Sequence, residues 1–316
     1  MRVALVTTTL DQLHDVDADL PLIVEALAKR GVEAVPAVWH DSGIEWSRFD
    51  LIVMRSPWDY SARYAEFTEF TDWLDQVSMV ADASGASAQT RPSVPVLNCR
   101  HLVRWSSDKV YLAELANAGV PVVPTMFARS LDEVAGAITA SAANEIVIKP
   151  TVSAGSKDTG RFATGDGAAL QLAQRILDLG KIVMVQPSIP SVQAEGECAL
   201  LFFDGQFSHA ARKGPILDLG GGLVGGEYSE KISSAVPEPD EVAVAQAAHK
   251  AITDLVSTVC GCGSERPLYA RLDVVRGESG YQLLEAELFE PAYFLWTSPG
   301  ASDRFANAVL RRLPRI

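Results

Sequence analysis

Arg271-Leu-Asp273 and, shortly after it, Glu285-Ala-Glu287 place one guanidinium and three carboxylates in two segments of strand-like sequence. Side chains two apart in a strand share a face. Arg271 and Asp273 therefore point one way, as do Glu285 and Glu287, while Leu284 and Leu288 turn to the other side. Three carboxylates at one spot repel, and burying one without a partner is costly. On neighbouring strands they would suit a hard divalent cation bound through oxygen and shared with substrate phosphates, Mg²⁺ or Mn²⁺. The competing reading is an amphipathic strand with its charged face in water. The combination of Arg-x-Asp with Glu-x-Glu favours the metal.

A second group of residues has the chemistry of a phosphate site. Lys149 leaves the apolar run Ile146-Val-Ile just before Ser153-Ala-Gly155-Ser156-Lys-Asp-Thr-Gly160. A lysine there can reach a phosphate, and small residues let backbone N–H groups approach the same oxygens. The alternative is a surface lysine beside an ordinary hairpin. Other phosphate motifs fail: Gly180-Lys181 is followed by Ile182 where a P-loop needs Ser or Thr. Gly220-Gly-Gly-Leu-Val-Gly225 matches a dinucleotide fingerprint in form only, since no helical pattern follows, and reads as a mobile loop. Lys109, expected to open a helix over Lys109 to Ala118, is by itself an ordinary solvated helix residue.

Order along the chain changes that. Lys109, Lys149 before a Gly-rich turn, Met184-Val-Gln-Pro-Ser-Ile189, Gly196-Glu197, Arg271-Leu-Asp273 and Glu285-Ala-Glu287 follow one another as the motifs of the ATP-grasp superfamily do. The chain resembles that family over about residues 100 to 295. The resemblance implies an ATP-dependent, carboxylate-activating ligase. It assigns Lys109, Lys149 and the turn with Ser153, Gly155 and Ser156 to the ATP phosphates, and Gln186 with the backbone at Ser188 and Ile189 to adenine. Glu197 would hold the ribose, with Glu195 as a rival because Pro190 to Gln193 lengthen the hinge loop. Asp273, Glu285 and Glu287 would ligate the metal, Glu287 standing where many relatives have Asn. Arg271 would stabilise the acyl-phosphate transition state, and Arg212 or Lys213 would contact transferring phosphate or substrate. Such chemistry rests on positioning and charge and needs no protein nucleophile. The five histidines therefore need no catalytic task.

Arg55-Ser-Pro-Trp-Asp59-Tyr60 ends a strand where an α/β sheet presents its ligand crevice. Arg55 could clamp a carboxylate and Asp59 or Tyr60 meet an amine; equally, Arg55 could pair structurally. This segment and Leu284-Glu-Ala-Glu-Leu-Phe-Glu-Pro-Ala-Tyr-Phe294 most resemble the cyclo-ligase family of D-cycloserine biosynthesis. That resemblance implies ring closure on the activated carboxylate of O-ureido-D-serine. An intermolecular amino-acid or peptide ligase, a small-molecule kinase and an inactive nucleotide-binding module are the other classes on this scaffold.

The elements that must position these residues alternate. Strand-like runs at Arg2–Thr7, Ala34–Val38, Leu51–Met54 and Val94–Leu97 are separated by helical patterns, one with Leu20, Ile23, Ala26 and Leu27 on one face, another through Phe67, Phe70, Trp73 and Leu74. This is an α/β, Rossmann-like N-terminal unit over residues 1–104, with a surface insertion at Asp82 to Ser93. A small α/β lid follows over 105–187: a strand near Val122, a helix from Leu131 to Ala140, strands at 145–148 and 182–185, and a helix from Ala168 to Leu179. A mixed-sheet unit with the metal site occupies 188–316, with strands at 198–203, 268–274 and 282–284 and a helix over 241–259.

With 316 residues, 48% of them hydrophobic, the chain can bury a large core shared by several subunits of structure. A net charge of −13 offers no global footprint for nucleic acid or an anionic membrane, so the expected partner is a small-molecule carboxylate, an amino acid or a derivative. Association into a homo-oligomer is left open. No membrane-spanning run is present and the four scattered cysteines form no disulfide framework, which places the protein in the cytoplasm with reduced thiols. Cys260-Gly-Cys262 lacks the second ligand pair that a zinc site needs.

Overall fold

The structure is a computed structural model that describes residues 1–9, 17–79, 94–223, 230–260 and 266–314. The expected insertion at 82–93 and Cys262 lie outside the described residues. Strand β1 (Arg2–Thr7), helix α1 (Asp19–Ala28), β2 (Glu33–Val38), β3 (Leu51–Ser56), α2 (Tyr64–Met79) and β4 (Val96–Leu97) build a parallel sheet in the order β2-β1-β3-β4. β1 and β3 are buried on both faces, so they are continuous apolar runs without alternation. Helix α3 (Arg100–Ser107), which periodicity does not announce, buries Leu102 and Val103 and spans the expected boundary at residue 104.

The chain continues through α4 (Tyr111–Asn117), β5 (Met126–Ala128), α5 (Leu131–Ala140), β6 (Glu145–Pro150), β7 (Thr159–Ala163), α6 (Gly167–Asp178) and β8 (Val183–Pro187). Lys109 does not open α4. It stands in the turn before it, where its N–H donates to the Thr151 carbonyl at 3.0 Å. The strand expected near Val122 reduces to a single bridge with Leu283. Local chemistry sets the helix starts: Ser130 Oγ accepts from Glu133 N at α5, and the Asp166 carboxylate accepts from Ala168 N at α6. Val134, Ala137, Leu172 and Ile176 on these helices cover Ile146 and Ile148 of β6.

The last third comprises α7 (Pro190–Glu195), β9 (Glu197–Phe203), β10 (Gln206–Lys213), β11 (Gly221–Leu223), β12 (Ile232–Ala235), α8 (Pro239–Cys260), β13 (Tyr269–Gly277), β14 (Gly280–Glu287) and α9 (Ala301–Arg312). An antiparallel sheet runs β12-β10-β9-β13-β14, with α8 on one face. β11 pairs instead with β7 and completes the lid sheet, β11-β7-β6-β8-β5. The glycine run expected as a loop is thus partly strand, and its remainder lies outside the described residues. Helix α9 returns to the first unit: Phe305 and Val309 share one core with Ile23 and Leu27 of α1, Val3 and Leu5 of β1, and Leu201 and Phe203 of β9. No helix among the described residues is long and apolar enough to cross a membrane.

Within α8, His249 stacks on Phe202 with ring centroids 5.2 Å apart, and its Nε2 has no hydrogen-bond partner among the described residues. Burial, reinforced by Arg266, pushes its pKa down from 6.5 to about 4. The folded protein holds this ring neutral while the unfolded chain protonates it. Stability therefore falls as pH drops from about 6.5 to about 4, by about 3 kcal/mol in total for this group. His249→Phe should flatten that window in urea-unfolding series at pH 7 and pH 4. An unchanged pH dependence in the variant would assign the loss to other groups.

Candidate active site

The antiparallel register sets Arg271 opposite Glu287 and Asp273 opposite Glu285, so β13 and β14 bring all four side chains to one face, as strand periodicity predicts. The periodicity is interrupted once. A bulge between Asp273 and Val274 leaves Leu284 without a partner across the ladder, and Leu283, not Leu284, is buried on the α8 side with Ala286 and Leu288. The extra residue is what lets Leu283 and Glu285, two apart, face opposite ways.

Arg271 clamps Asp273 with Nε on Oδ1 at 2.9 Å and Nη2 on Oδ2 at 3.1 Å, and it also pairs with Glu287. Lys213 donates to Asp273 Oδ2 and Glu197 Oε2, both at 2.9 Å, with Glu230 at 3.8 Å. Lys109 meets Glu285 Oε1 at 3.0 Å and the Ser153 carbonyl at 3.0 Å. The ammonium of Lys149, near the end of β6, has neither a hydrogen bond nor an ion pair among the described residues. Lys109, Lys149, Ser153, Asp273 and Glu290 are each at most 9% exposed, so the lid sheet covers the cluster.

Burial and charge set the protonation of this ring. Burial lowers the Lys149 pKa, and the neighbouring Lys109 lowers it further. For Lys109 and Lys213 burial acts in the same direction, but Glu285 and Asp273 respectively outweigh it and leave both ammoniums above the ordinary lysine value. Burial raises the Glu285 carboxyl, yet Lys109, Lys149 and Lys213 together hold it below the usual range. Glu287 lies above it, through burial and the repulsion of Glu285 and Asp273, which Arg271 only partly offsets.

Among the described residues no three His, Cys, Asp or Glu side chains converge as a ready-made metal cage. Asp273, Glu285 and Glu287 are instead neutralised by the protein's own cations. The donor set still suits a hard ion, since all three offer carboxylate oxygens on adjacent strand positions.

The remaining expected residues divide clearly. Arg212 and Lys213 are successive on β10 and face opposite sides; Lys213 enters the cluster, whereas Arg212 Nη1 pairs with Glu241 of α8 at 3.1 Å. Gln186 donates to Thr125 Oγ1 at 2.8 Å, and Ser188 N donates to the Glu145 carbonyl at 2.8 Å, holding the hinge beside the lid sheet. Pro190–Glu195, expected as a longer loop with Ile189 at its entrance, is helix α7, and it carries Glu195 out to Arg276 at 3.2 Å on the surface. Glu197, on Lys213, stays at the site. Gly196 turns the chain between them at φ 75°, and a Cβ there would lie 2.1 Å from the Lys213 carbonyl. In the turn with Gly155, Ser156 and Asp158 adopt φ of 53° and 56°, a conformation uncommon for residues other than glycine.

The N-terminal motif differs most from expectation. Arg55 is fully buried, with Nη2 on Asp17 at 2.7 Å and Asp19 at 3.2 Å, Nη1 on the Pro291 carbonyl at 2.6 Å, and its guanidinium 4.2 Å from the Tyr293 ring centre. This is structural pairing: Nε has no hydrogen-bond partner among the described residues, but the whole side chain is sealed from solvent and its terminal nitrogens are taken by the protein. Asp59 accepts from Trp39 Nε1 at 2.7 Å, in the core of the first unit. Tyr60 alone reaches the cluster, its hydroxyl 3.4 Å from the Ser153 carbonyl. His209 hydrogen-bonds the Tyr293 carbonyl at 2.8 Å and takes no part in the site.

Residues that sequence reasoning passed over complete the surroundings. Tyr111 brackets Ala286 through both its N–H and its carbonyl, and Asn98 ties Leu268, Tyr269 and Leu288 together. Glu230 and Glu290 join the acidic ring; Glu290, three residues beyond Glu287 and just before Pro291, was the one whose spacing signalled it.

A lid carrying Lys149 over an antiparallel sheet that presents Lys213 and Arg271 among carboxylates, with Lys109 added from the turn before α4, is the architecture of the ATP-grasp ligases, and the chain is an enzyme of that class. It matches the family model described as "D-cycloserine synthetase DcsG, N-terminal domain" over residues 3–82. It is 36% identical over 307 residues to the cycloserine biosynthesis protein DcsG of Streptomyces lavendulae, covering 94% of this chain and 95% of that protein. The crystal structure of D-cycloserine synthetase DcsG superposes with a TM-score of 0.85 at 34% identity, over 99% of this chain and all of that one (100%). D-alanine–D-alanine ligase from Bacillus anthracis shares the fold alone, with a TM-score of 0.62 and 14% identity over 98% of this chain and 96% of that one. The chain belongs to the DcsG family of ATP-grasp ligases.

Proposed function

We propose that this enzyme uses ATP and Mg²⁺ to activate the carboxylate of O-ureido-D-serine or a close amino-acid relative and closes the ring intramolecularly. The observation that carries this reading is the interleaving of Lys109, Lys213 and Arg271 with Asp273, Glu285 and Glu287 beneath Lys149. Asp273, Glu285 and Glu287 would hold the metal, Mg²⁺ or Mn²⁺, which neutralises phosphate oxygens when bound. The lysines now paired with carboxylates would turn to phosphates as the nucleotide enters. Lys149, whose ammonium is unpaired and buried, is poised for the same use.

The γ-phosphoryl group passes from ATP to a carboxylate oxygen and ADP leaves. A nitrogen then attacks the acyl carbon, orthophosphate departs with that oxygen, and the proton on nitrogen goes to solvent. Arg271 flanks the transfer, Gln186 with the Ser188 and Ile189 backbone lines the adenine side, and Glu197 lies on the ribose side, with Glu195 too far out on α7 to compete. The burial of the cluster keeps water from the acyl phosphate, so the lid must open for entry.

The test supplies ATP, Mg²⁺ and O-ureido-D-serine, follows ADP, and traps the acyl phosphate with hydroxylamine. Carboxylate-dependent ADP release and an acyl hydroxamate are expected. A stable phosphorylated product would make the enzyme a kinase, and ADP release only with a second amino acid present would make it an intermolecular ligase.

A further inference from the structure

The segment after β14 is held by its carbonyls. The Tyr269 hydroxyl donates to the Phe289 carbonyl at 3.0 Å, Trp58 Nε1 to the Glu290 carbonyl at 2.8 Å, and Arg55 Nη1 to the Pro291 carbonyl at 2.6 Å. Three consecutive carbonyls are thus fixed by three side chains, two of them from Arg55-Ser-Pro-Trp-Asp-Tyr60. Asp19 then holds the N–H groups of Tyr293, Phe294 and Leu295 at 2.6, 3.1 and 2.8 Å. The motif that reads as a substrate clamp is a cradle for this strap.

What the cradle aims is Glu290. Its side chain is buried at 9% exposure, and Oε2 has no hydrogen-bond partner among the described residues. Tyr60, whose ring packs edge-on against Phe289 at 4.9 Å, stands beside this carboxyl, which lies in the field of Glu287, Glu285 and Lys109 at the end of the cluster where Arg271 meets Glu287. A buried carboxyl with an unmade hydrogen bond is costly unless a ligand completes it. The Tyr60 hydroxyl, which donates to the Ser153 carbonyl at 3.4 Å, keeps an acceptor lone pair nearby, which suits a group with several N–H donors.

We propose that Glu290, with Tyr60, is the subsite for the ammonium group of an α-amino-acid substrate. This rests on the ligase reading above. In an amino acid a single carbon separates amine from carboxylate, so an amine anchor must stand beside the place where the carboxylate is phosphorylated. Glu290, three residues from Glu287 on a rigid strap, stands there. The acid also sets specificity: a carboxylate without the amine would leave Glu290 unpaired.

The test compares O-ureido-D-serine with 3-(ureidooxy)propanoate, the same chain lacking the amine, in the wild type, Glu290→Gln and Tyr60→Phe. Binding is measured by calorimetry with ADP and Mg²⁺ present, and KM and kcat separately by ADP release. Wild type should prefer the amine-bearing compound, and Glu290→Gln should weaken its binding and raise its KM roughly 10- to 100-fold while changing the deaminated compound little, so that the preference collapses. Tyr60→Phe should move the same ratio less. A binding preference present in the wild type and lost in Glu290→Gln, with no turnover in the wild type, would keep the subsite and overturn the ligase reading. Equal losses for both compounds, an unchanged preference, or a shifted Mg²⁺ requirement in place of a shifted ratio would overturn the subsite, as would the absence of any preference in the wild type.

Discussion

Replacing Arg271 by lysine is expected to lower turnover about a hundredfold while ATP affinity changes little, the scale of losing one oriented donor at a developing charge. The guanidinium meets both oxygens of Asp273 at 2.9 and 3.1 Å, reaches Glu287, and lies 5.5 Å from the Phe294 ring centre. A lysine keeps the charge but cannot hold two oxygens in one plane. The acid beside it would then rotate, and the transferring phosphoryl would lose an aligned donor. If Arg271 serves only to pair Asp273, the variant will instead lose thermal stability and both kinetic constants will drift together. Thermal midpoint, nucleotide affinity and turnover on one preparation separate the two, and native turnover in the lysine variant would remove Arg271 from the transition state.

Arg55→Met should be the most destabilising single change at the edge of the site, costing about 3–5 kcal/mol, because it leaves an uncompensated buried charge. Asp17 and Asp19 are both buried, and both lean on the same Nη2. Asp17 also accepts the N–H groups of Asp19 and Leu20 at the start of α1, and Asp19 holds the strap at Tyr293–Leu295. The loss should therefore spread to both ends of the chain, lowering the thermal midpoint by roughly 10 °C and turnover with it as the strap loosens. Arg55→Lys, which keeps the charge, should recover part of the stability. A substrate clamp would behave in the opposite way: Arg55→Lys would raise KM at an unchanged midpoint.

Much of this site is legible along the chain because its determinants are local. Period-two alternation puts Arg271 with Asp273 and Glu285 with Glu287 on shared faces, and the antiparallel register joins the pairs. The caps at Ser130 and Asp166 and the apolar period of α5 and α6 fix the lid helices within a residue or two of their expected ends. Lys149 leaving an apolar strand before a turn of small residues is likewise a short-range pattern.

What the tertiary structure alone decided depends on distant partners. The choice between Arg212 and Lys213 follows from which face of β10 meets α8, and no spacing reveals that. The bulge that leaves Leu284 unpaired and buries Leu283 belongs to the pairing of two strands. β11 leaves its sequence neighbours for the lid, and α9 closes the core of the first sheet from the far end of the chain. Arg55 shows this most clearly, since of its two readings along the sequence the packing favours the structural one. A buried guanidinium needs counter-charges and acceptors: Asp17 and Asp19 at the start of α1 supply the charges, and the strap supplies the Pro291 carbonyl from a separation of 236 residues. Residue type and spacing determine what chemistry a segment can support; whether a charged group faces a ligand or another residue is set by what long-range packing places against it, since the cost of burying charge is settled by the whole surroundings.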